Sequence, residues 1–300
     1  MARLNIGAAP FVKWNGTKSQ HLHILEQALP ADFASQENVT YIEPFVGGGA
    51  MLFHMLQTWP NISRVVINDS NLDLMRAYNT VRDRSSELIQ ELKYMQKEFL
   101  SLSPAARADY FAAARTEFDN RLCDGLRHSA LFIFLNKASQ SPEKYRPVSH
   151  PVICEEELLR ADSHVLQRVT ILCDDYEKTY NEAQGNTFFF LDPPCRPVGR
   201  DHVGEWNDQD QVRLKKFCDL LNFRHFSWML TGSDGRTSAS GDDFMDRLYG
   251  NYDIQRIWSD KNRLAAPAKR QKTSELLVRN FNREILSLRD LRCTQLSFAF

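Results

Sequence analysis

The chain contains no run of eighteen apolar residues and no basic-then-apolar leader, so nothing in it marks a membrane span or secretion, and the cytoplasm is the expected compartment. Its six cysteines, Cys123, Cys154, Cys173, Cys195, Cys218 and Cys293, include no C-x-x-C pair, which argues against a disulfide framework and against a zinc site. The eight histidines are dispersed, and His21 and His23 are too close in sequence to share a helix face, so no metal centre is expected. There is no internal repeat and no low-complexity tract. Two nucleotide-binding signatures are also missing: neither the phosphate loop G-x-x-x-x-G-K-[ST] nor the dinucleotide fingerprint G-x-G-x-x-G occurs. A net charge of −1 gives no overall attraction to nucleic acid, so any such binding must rest on a local basic patch.

What remains is a globular chain of 300 residues, 43% hydrophobic and 25% charged, long enough for one large core or for a core with a sizeable insertion. The stretch Asn186-Thr187-Phe188-Phe189-Phe190-Leu191-Asp192-Pro193-Pro194-Cys195 organises the rest. Its short apolar run reads as a buried parallel strand that ends abruptly at Asp192. In open α/β sheets the working site lies beyond the carboxyl ends of the strands, which is where this acid falls. Pro193 and Pro194 have locked φ angles and no N–H, so the turn offers carbonyl oxygens and a carboxylate: an acceptor-only corner suited to an N–H₂ group. The alternative is that Asp192 merely caps a following helix.

Upstream, a β-rich run from Asn38 to Glu43 passes through Pro44-Phe45-Val46-Gly47-Gly48-Gly49 into an apolar helix, and the glycines let backbone approach a ligand. A second strand ends in Asn68-Asp69, about twenty residues after the glycines, where an acid is placed to bind ribose hydroxyls. This order points to an adenosine-bearing cofactor. Nearer the start, Lys13-Trp14-Asn15-Gly16-Thr17-Lys18 is a polar glycine loop feeding a helix, a fair anion or carboxylate site.

From Ser85 to Leu135 the chain is charged and alanine-rich with helical periodicity, which predicts a helical insertion closed by a loop over residues 136–151. That loop carries Lys137, Lys144, Tyr145, Arg146 and His150, basic and aromatic residues able to track a phosphate backbone or simply to face solvent. The sheet resumes at Val169. The expected domains are 1–82 with 165–300 for the sheet and 83–164 for the insertion. Two closing antiparallel strands flank the densest positive patch, in which Lys261, Arg263, Lys269, Arg270 and Lys272 occur without an acid in residues 261–272.

With these pieces in order the chain resembles the Dam-family, D12-class adenine-N6 DNA methyltransferases. Residues 13–18 match the family's K-W-x-G-x-K, Glu43 to Gly49 its E-P-F-x-G-x-G, Asn68-Asp69-Ser70-Asn71 with Tyr78-Asn79 its N-D-x-N and Y-N, and Asp192-Pro193-Pro194 its D-P-P-Y. The resemblance implies an α/β, Rossmann-like sheet that binds S-adenosylmethionine, with a helical target-recognition insertion and double-stranded DNA as partner. It implies a cofactor set of Trp14, Lys18, Glu43, Phe45, Gly47, Gly49, Asp69, Asp175 and Tyr176, and a catalytic set of Asp192, Pro193, Pro194 and Cys195. The loop and patch residues Lys137, Lys144, Tyr145, Arg146, Lys261, Arg263, Lys269, Arg270 and Lys272 would meet DNA. Two departures stand out: Cys195 replaces the family's tyrosine, and the recognition loop lacks the N-G-L-x-R-x-N and F-N-V-P elements. An impaired binding protein, or a methyltransferase for cytosine N4 or an RNA base, are therefore the competing expectations. The tail Gln295-Leu296-Ser297-Phe298-Ala299-Phe300 resembles peptides that dock on a sliding clamp; the alternative is a final strand or frayed end.

Overall fold

A computed structural model of the chain describes residues 7–16, 18–140, 145–148, 151–196, 206–238, 241–261 and 271–281. The described strands form a mixed seven-stranded sheet in the order β3-β2-β1-β4-β5-β7-β6, and helices supply the rest of an α/β fold. Two compact units divide the chain: Met1–Ser19 with Phe45–Thr179, and Gln20–Pro44 with Tyr180–Phe300.

In the first unit, β2 (Ile62–Asn68) and β3 (Val169–Leu172) pair in parallel, Val65 opposite Val169 and Asn68 opposite Leu172. The glycine turn opens α2 (Ala50–Thr58), whose Ala50, Met51, Leu52, Phe53, Met55 and Leu56 are all buried. An Asn71 side chain accepting from Leu74 N caps α3 (Leu72–Asp83), so the end of β2 and the start of a helix share one polar turn. Residues 85–138 carry three helices, α4 (Ser85–Ser101), α5 (Pro104–Asp119) and α6 (Gly125–Ala138). Ser103 and Asp124 cap α5 and α6 through their side chains, and Pro104 occupies the first turn of α5, where its missing N–H costs nothing. Phe99, Tyr110, Phe111 and Phe134 join the three helices as an aromatic cluster with centroids 5.3–6.2 Å apart.

Two boundaries differ from the sequence reading. Helix α6 runs to Ala138, so Lys137 belongs to its last turn and not to the loop, because an apolar face with Leu135 and Ala138 buried carries the helix past the polar Asn136. An unforeseen helix α7 (Glu156–Leu166) precedes β3 and buries Leu158, Leu159 and Leu166.

In the second unit β1 (Val39–Glu43), β4 (Thr187–Leu191) and β5 (Ser227–Ser233) run parallel, and β6 (Asp253–Lys261) and β7 (Gln271–Arg279) close the edge as an antiparallel pair. Every residue of β1 and β4 is buried, as expected of strands covered on both faces. Helix α8 (Asp208–Phe223) opens on a capping box between Asn207 and Asp210. Arg279, fully buried, is neutralised by Asp253 and donates to the Ala28 carbonyl, which ties the edge strand to the loop after α1 (Leu22–Gln27).

Candidate functional site

The glycine loop at residues 45–49 is tightly constrained backbone within the first unit. Gly49 N–H donates to Val46 O at 2.8 Å and Val46 N–H to Asn68 O at 2.9 Å, which closes the turn onto the end of β2. Gly47 and Gly49 have φ of +48° and +76°, the left-handed region where a Cβ is strained. Space is lacking as well. A Cβ on Gly47 would lie 2.5 Å from Trp14 Nε1, and one on Gly49 2.4 Å from Tyr78 Oη. The Tyr78 hydroxyl donates to Gly47 O at 3.1 Å, so the loop is braced from both sides.

Asp69 follows directly from β2. Its Oδ2 accepts from Gly47 N–H at 3.1 Å and its Oδ1 from Asn71 N–H at 3.0 Å, so one carboxylate links the glycine loop to the start of α3. Burial raises its pKa above the usual aspartate value, opposed by backbone N–H bonds from Asn71, Gly47 and Ser70. The Asn68 side chain reads both backbone groups of Asp174, donating to its O and accepting from its N at 3.0 Å each. This amide fixes the turn carrying Asp175 and Tyr176. The Tyr176 ring is buried and meets Phe45 at a centroid distance of 5.0 Å. Trp14, Phe45, Gly47, Gly49, Asp69, Asp175 and Tyr176 are thus organised within one unit. Lys18 is buried with its ammonium donating to Gly16 O at 3.0 Å.

Trp14 follows a segment anchored by distant side chains. Gln57 accepts from Ala8 N–H at 2.9 Å and donates to Ala8 O at 2.8 Å, and Asp162 Oδ1 accepts from Ala9 N–H at 3.0 Å. Asn136 brackets Lys13 in the same way, at 2.8 Å on both sides. The Lys13 ammonium donates to the carbonyls of Lys137 and Ser139 at the C-terminal end of α6, where a cation suits the helix dipole. Burial, then the Lys137 charge, lower the Lys13 pKa. Ser139 Oγ in turn accepts from Arg146 N–H at 2.7 Å, which ties Arg146 to the end of α6. These amide brackets were not foreseen; an Asn or Gln gives no sequence signal of which distant peptide it will read.

In the second unit β4 ends at Leu191, and Asp192 stands half-buried at its carboxyl end. Its Oδ1 accepts from Thr231 Oγ1 on β5 at 2.7 Å. Pro193 is buried, whereas Pro194 and Cys195 are exposed. Arg196, next in line, is anchored by Asp208 and by Asp242 and lies 4.4 Å from the Phe244 ring centroid, so the turn leaves the sheet on a fixed course. Glu43, at the end of β1, is buried and accepts from the Tyr41 hydroxyl at 2.9 Å. The Tyr41 pKa lies well above its ordinary value, first through burial and then through the charges of Glu43 and Asp192.

The expected DNA-facing residues are less unified. Lys137 is largely covered and paired with Glu155, so its charge is already committed. Tyr145 is half-buried with its ring 4.9 Å from that of Phe111, and Arg146 is exposed. Lys261 is the last residue of β6 and Lys272 the second of β7, while Lys144, Arg263, Lys269 and Arg270, like the tail from Gln295 to Phe300, lie outside the described residues.

Comparison with known proteins decides the family. The profile of the D12 class N6 adenine-specific DNA methyltransferases matches residues 14–263. The chain belongs to this class. Among its relatives, the Type II methyltransferase M.MjaIII of Methanocaldococcus jannaschii is 33% identical over 91% of this chain and 99% of its own length. Type II methyltransferase M1.LlaDCHI of Lactococcus lactis subsp. cremoris is 28% identical over 92% and 96%, and the DNA adenine methylase of Haemophilus influenzae 24% identical over 90% and 92%. As a member of the D12 class the chain is a DNA adenine methyltransferase that uses S-adenosylmethionine, and its seven-stranded α/β sheet is the Rossmann-like methyltransferase fold. No helix among the described residues is long and apolar enough to cross a membrane.

Proposed function

We propose that Asp192 and the Pro193 carbonyl are the acceptors that hold the target adenine amine in double-stranded, sequence-specific substrates. The observation that carries this reading is the half-buried Asp192 carboxylate at the carboxyl end of a fully buried parallel strand, followed by two residues that cannot donate. The N6 lone pair of adenine is delocalised into the ring, so the amine is a poor nucleophile. A carboxylate and a carbonyl that accept its two hydrogens favour the pyramidal nitrogen that develops in the transition state. Because N6 lies inside the base stack, the nucleotide must first be extruded, at a cost of a few kcal/mol.

The first unit fits S-adenosylmethionine, which when bound supplies an electrophilic sulfonium methyl. Gly47 and Gly49, where any Cβ would collide with Trp14 or Tyr78, let the backbone approach a ligand. Asp69 keeps acceptor capacity for a ribose diol, since an ionised carboxylate has about four lone-pair sites. The Phe45 and Tyr176 rings with Asp175 would bound its adenine, and Lys18 supplies charge for its amino-acid end. Residues 83–164 and the basic residues of 261–272 would contact the duplex, in the cytoplasm. For the tail, docking on a sliding clamp rests on residue pattern alone, and a clamp pull-down comparing the intact chain with Gln295→Ala tests it.

The central test is single-turnover transfer of labelled methyl to mixed-sequence duplex DNA, with base analysis of the product. Wild type should yield N6-methyladenine and Asp192→Ala should lose on the order of 10³-fold or more in rate, the scale of removing a transition-state acceptor. Equal rates for the two chains, or label on another base, refute the assignment.

A further inference from the structure

Asp192 is the first residue beyond β4, so its own strand does not determine which way the carboxylate turns. Its neighbouring strand supplies that constraint. Thr231, 1% exposed, donates from Oγ1 to Asp192 Oδ1 at 2.7 Å, and the same oxygen lies 3.5 Å from Leu191 O. A hydroxyl has one proton, and the shorter contact to the charged acceptor takes it. The backbone on either side of this donor is fixed: Leu191 is paired with Leu230 in the parallel ladder, and Thr231 itself with Leu277 in the antiparallel one. Threonine is also β-branched, so its χ1 has few states. The bond occupies one of about four acceptor sites on the carboxylate.

We propose that Thr231 is a positioning residue for methyl transfer: its hydroxyl, set by the register of β5, holds the Asp192 carboxylate in the rotamer that accepts from the target amine. The claim rests on the assignment of Asp192 made above. Thr231 itself touches neither substrate nor cofactor in this role, and no proton leaves it. A merely structural threonine, filling space between strands, makes the opposite prediction about which conservative change is tolerated. Valine keeps the volume and the branch and loses the donor; serine keeps the donor and loses a methyl group.

The test uses the full-length chain under single-turnover conditions with saturating cofactor and DNA. Thr231→Val should transfer methyl about 10- to 100-fold more slowly, the worth of a hydrogen bond to a charged group, with cofactor and DNA dissociation constants within about 2-fold of wild type. Thr231→Ser should remain within about 3-fold of the wild-type rate while melting at a lower temperature, since it opens a small cavity. In an Asp192→Ala background the valine substitution should add nothing further, because the group it positions is gone. A wild-type rate for Thr231→Val, or a serine variant slower than the valine variant, overturns the proposal. Should Thr231→Val fail to fold by circular dichroism, Thr231→Ala replaces it against Thr231→Ser with the same expected order of rates. A wild-type rate for Asp192→Ala is a different failure: it removes the acceptor assignment whatever the threonine variants do.

Discussion

The glycine loop and the turn after β4 carry the two most recognisable motifs of the chain, yet they are built in opposite ways. Around Gly47 and Gly49 every direction a side chain could take is occupied, by Trp14 on one side and Tyr78 on the other, and Asp69 pins the backbone from below. After β4 the acid and the first proline are enclosed, whereas Pro194 and Cys195 face solvent. A loop that must approach a ligand with its backbone is defined by excluded volume and accepts almost no change. A rim that presents one carboxylate is defined by the strand behind it, and the next side chains can change without disturbing the fold. The replacement of an aromatic residue by Cys195 falls in the second kind of place.

The largest way to break this contrast is a methyl group in the loop. Gly49→Ala combines positive φ with a 2.4 Å contact to the Tyr78 hydroxyl, so cofactor affinity by calorimetry should fall by about 100-fold or more, while circular dichroism stays native. If affinity is unchanged, the loop is not the rigid cradle described. On the rim the same experiment runs in reverse. Cys195→Tyr restores a ring to an exposed position, and base–aromatic stacking of roughly 1–3 kcal/mol should tighten binding to duplex DNA by about one to two powers of ten. No gain would show that another group already covers the extruded base, or that the base is not seated there.

A smaller effect concerns the frame of the cofactor half. Asp162 is fully buried, accepts only Ala9 N–H through Oδ1, and its Oδ2 has no hydrogen-bond partner among the described residues. Burial pushes its pKa from 3.8 up to about 8, opposed by the Ala9 N–H bond and the Lys137 charge and assisted by the Glu155 charge. Because the folded value exceeds the unfolded one, the folded chain keeps a proton that the unfolded chain releases above about pH 4. Stability therefore declines as pH rises from there to about 8 and levels off beyond. Asp162→Asn should flatten that decline, with a melting temperature that gains on wild type by about 2–5 °C between pH 6 and pH 8.5. Parallel melting curves for the two chains would show that Asp162 is ionised throughout.

Much of this was legible in the residues because it is written locally. The strand ending at Leu191, the acid after it, the turn at residues 45–49 and the acid at Asp69 are each fixed by a few neighbouring side chains, and a period-of-two or apolar run needs no knowledge of the rest. What escaped reading depends on partners remote in sequence: Thr231 on Asp192, Asn136 on Lys13, Asp162 on Ala9. Lys137 shows the same limit for charge, since its basicity is plain in the sequence but the Glu155 that neutralises it is not. Helix α7 was missed because its buried leucines are few and its surface is mostly polar.

The bracketing of residues 8–13 has a consequence for how the molecule comes together. That short stretch is anchored at long range: it waits for Gln57, then Asn136, then Asp162, and the last of these is 153 positions away from Ala9. Closing loops of that span is slow and comes late. This stretch, with Trp14 just beyond it, is therefore among the last to settle, and a chain interrupted before α7 would leave the Ala9 N–H without its Asp162 acceptor.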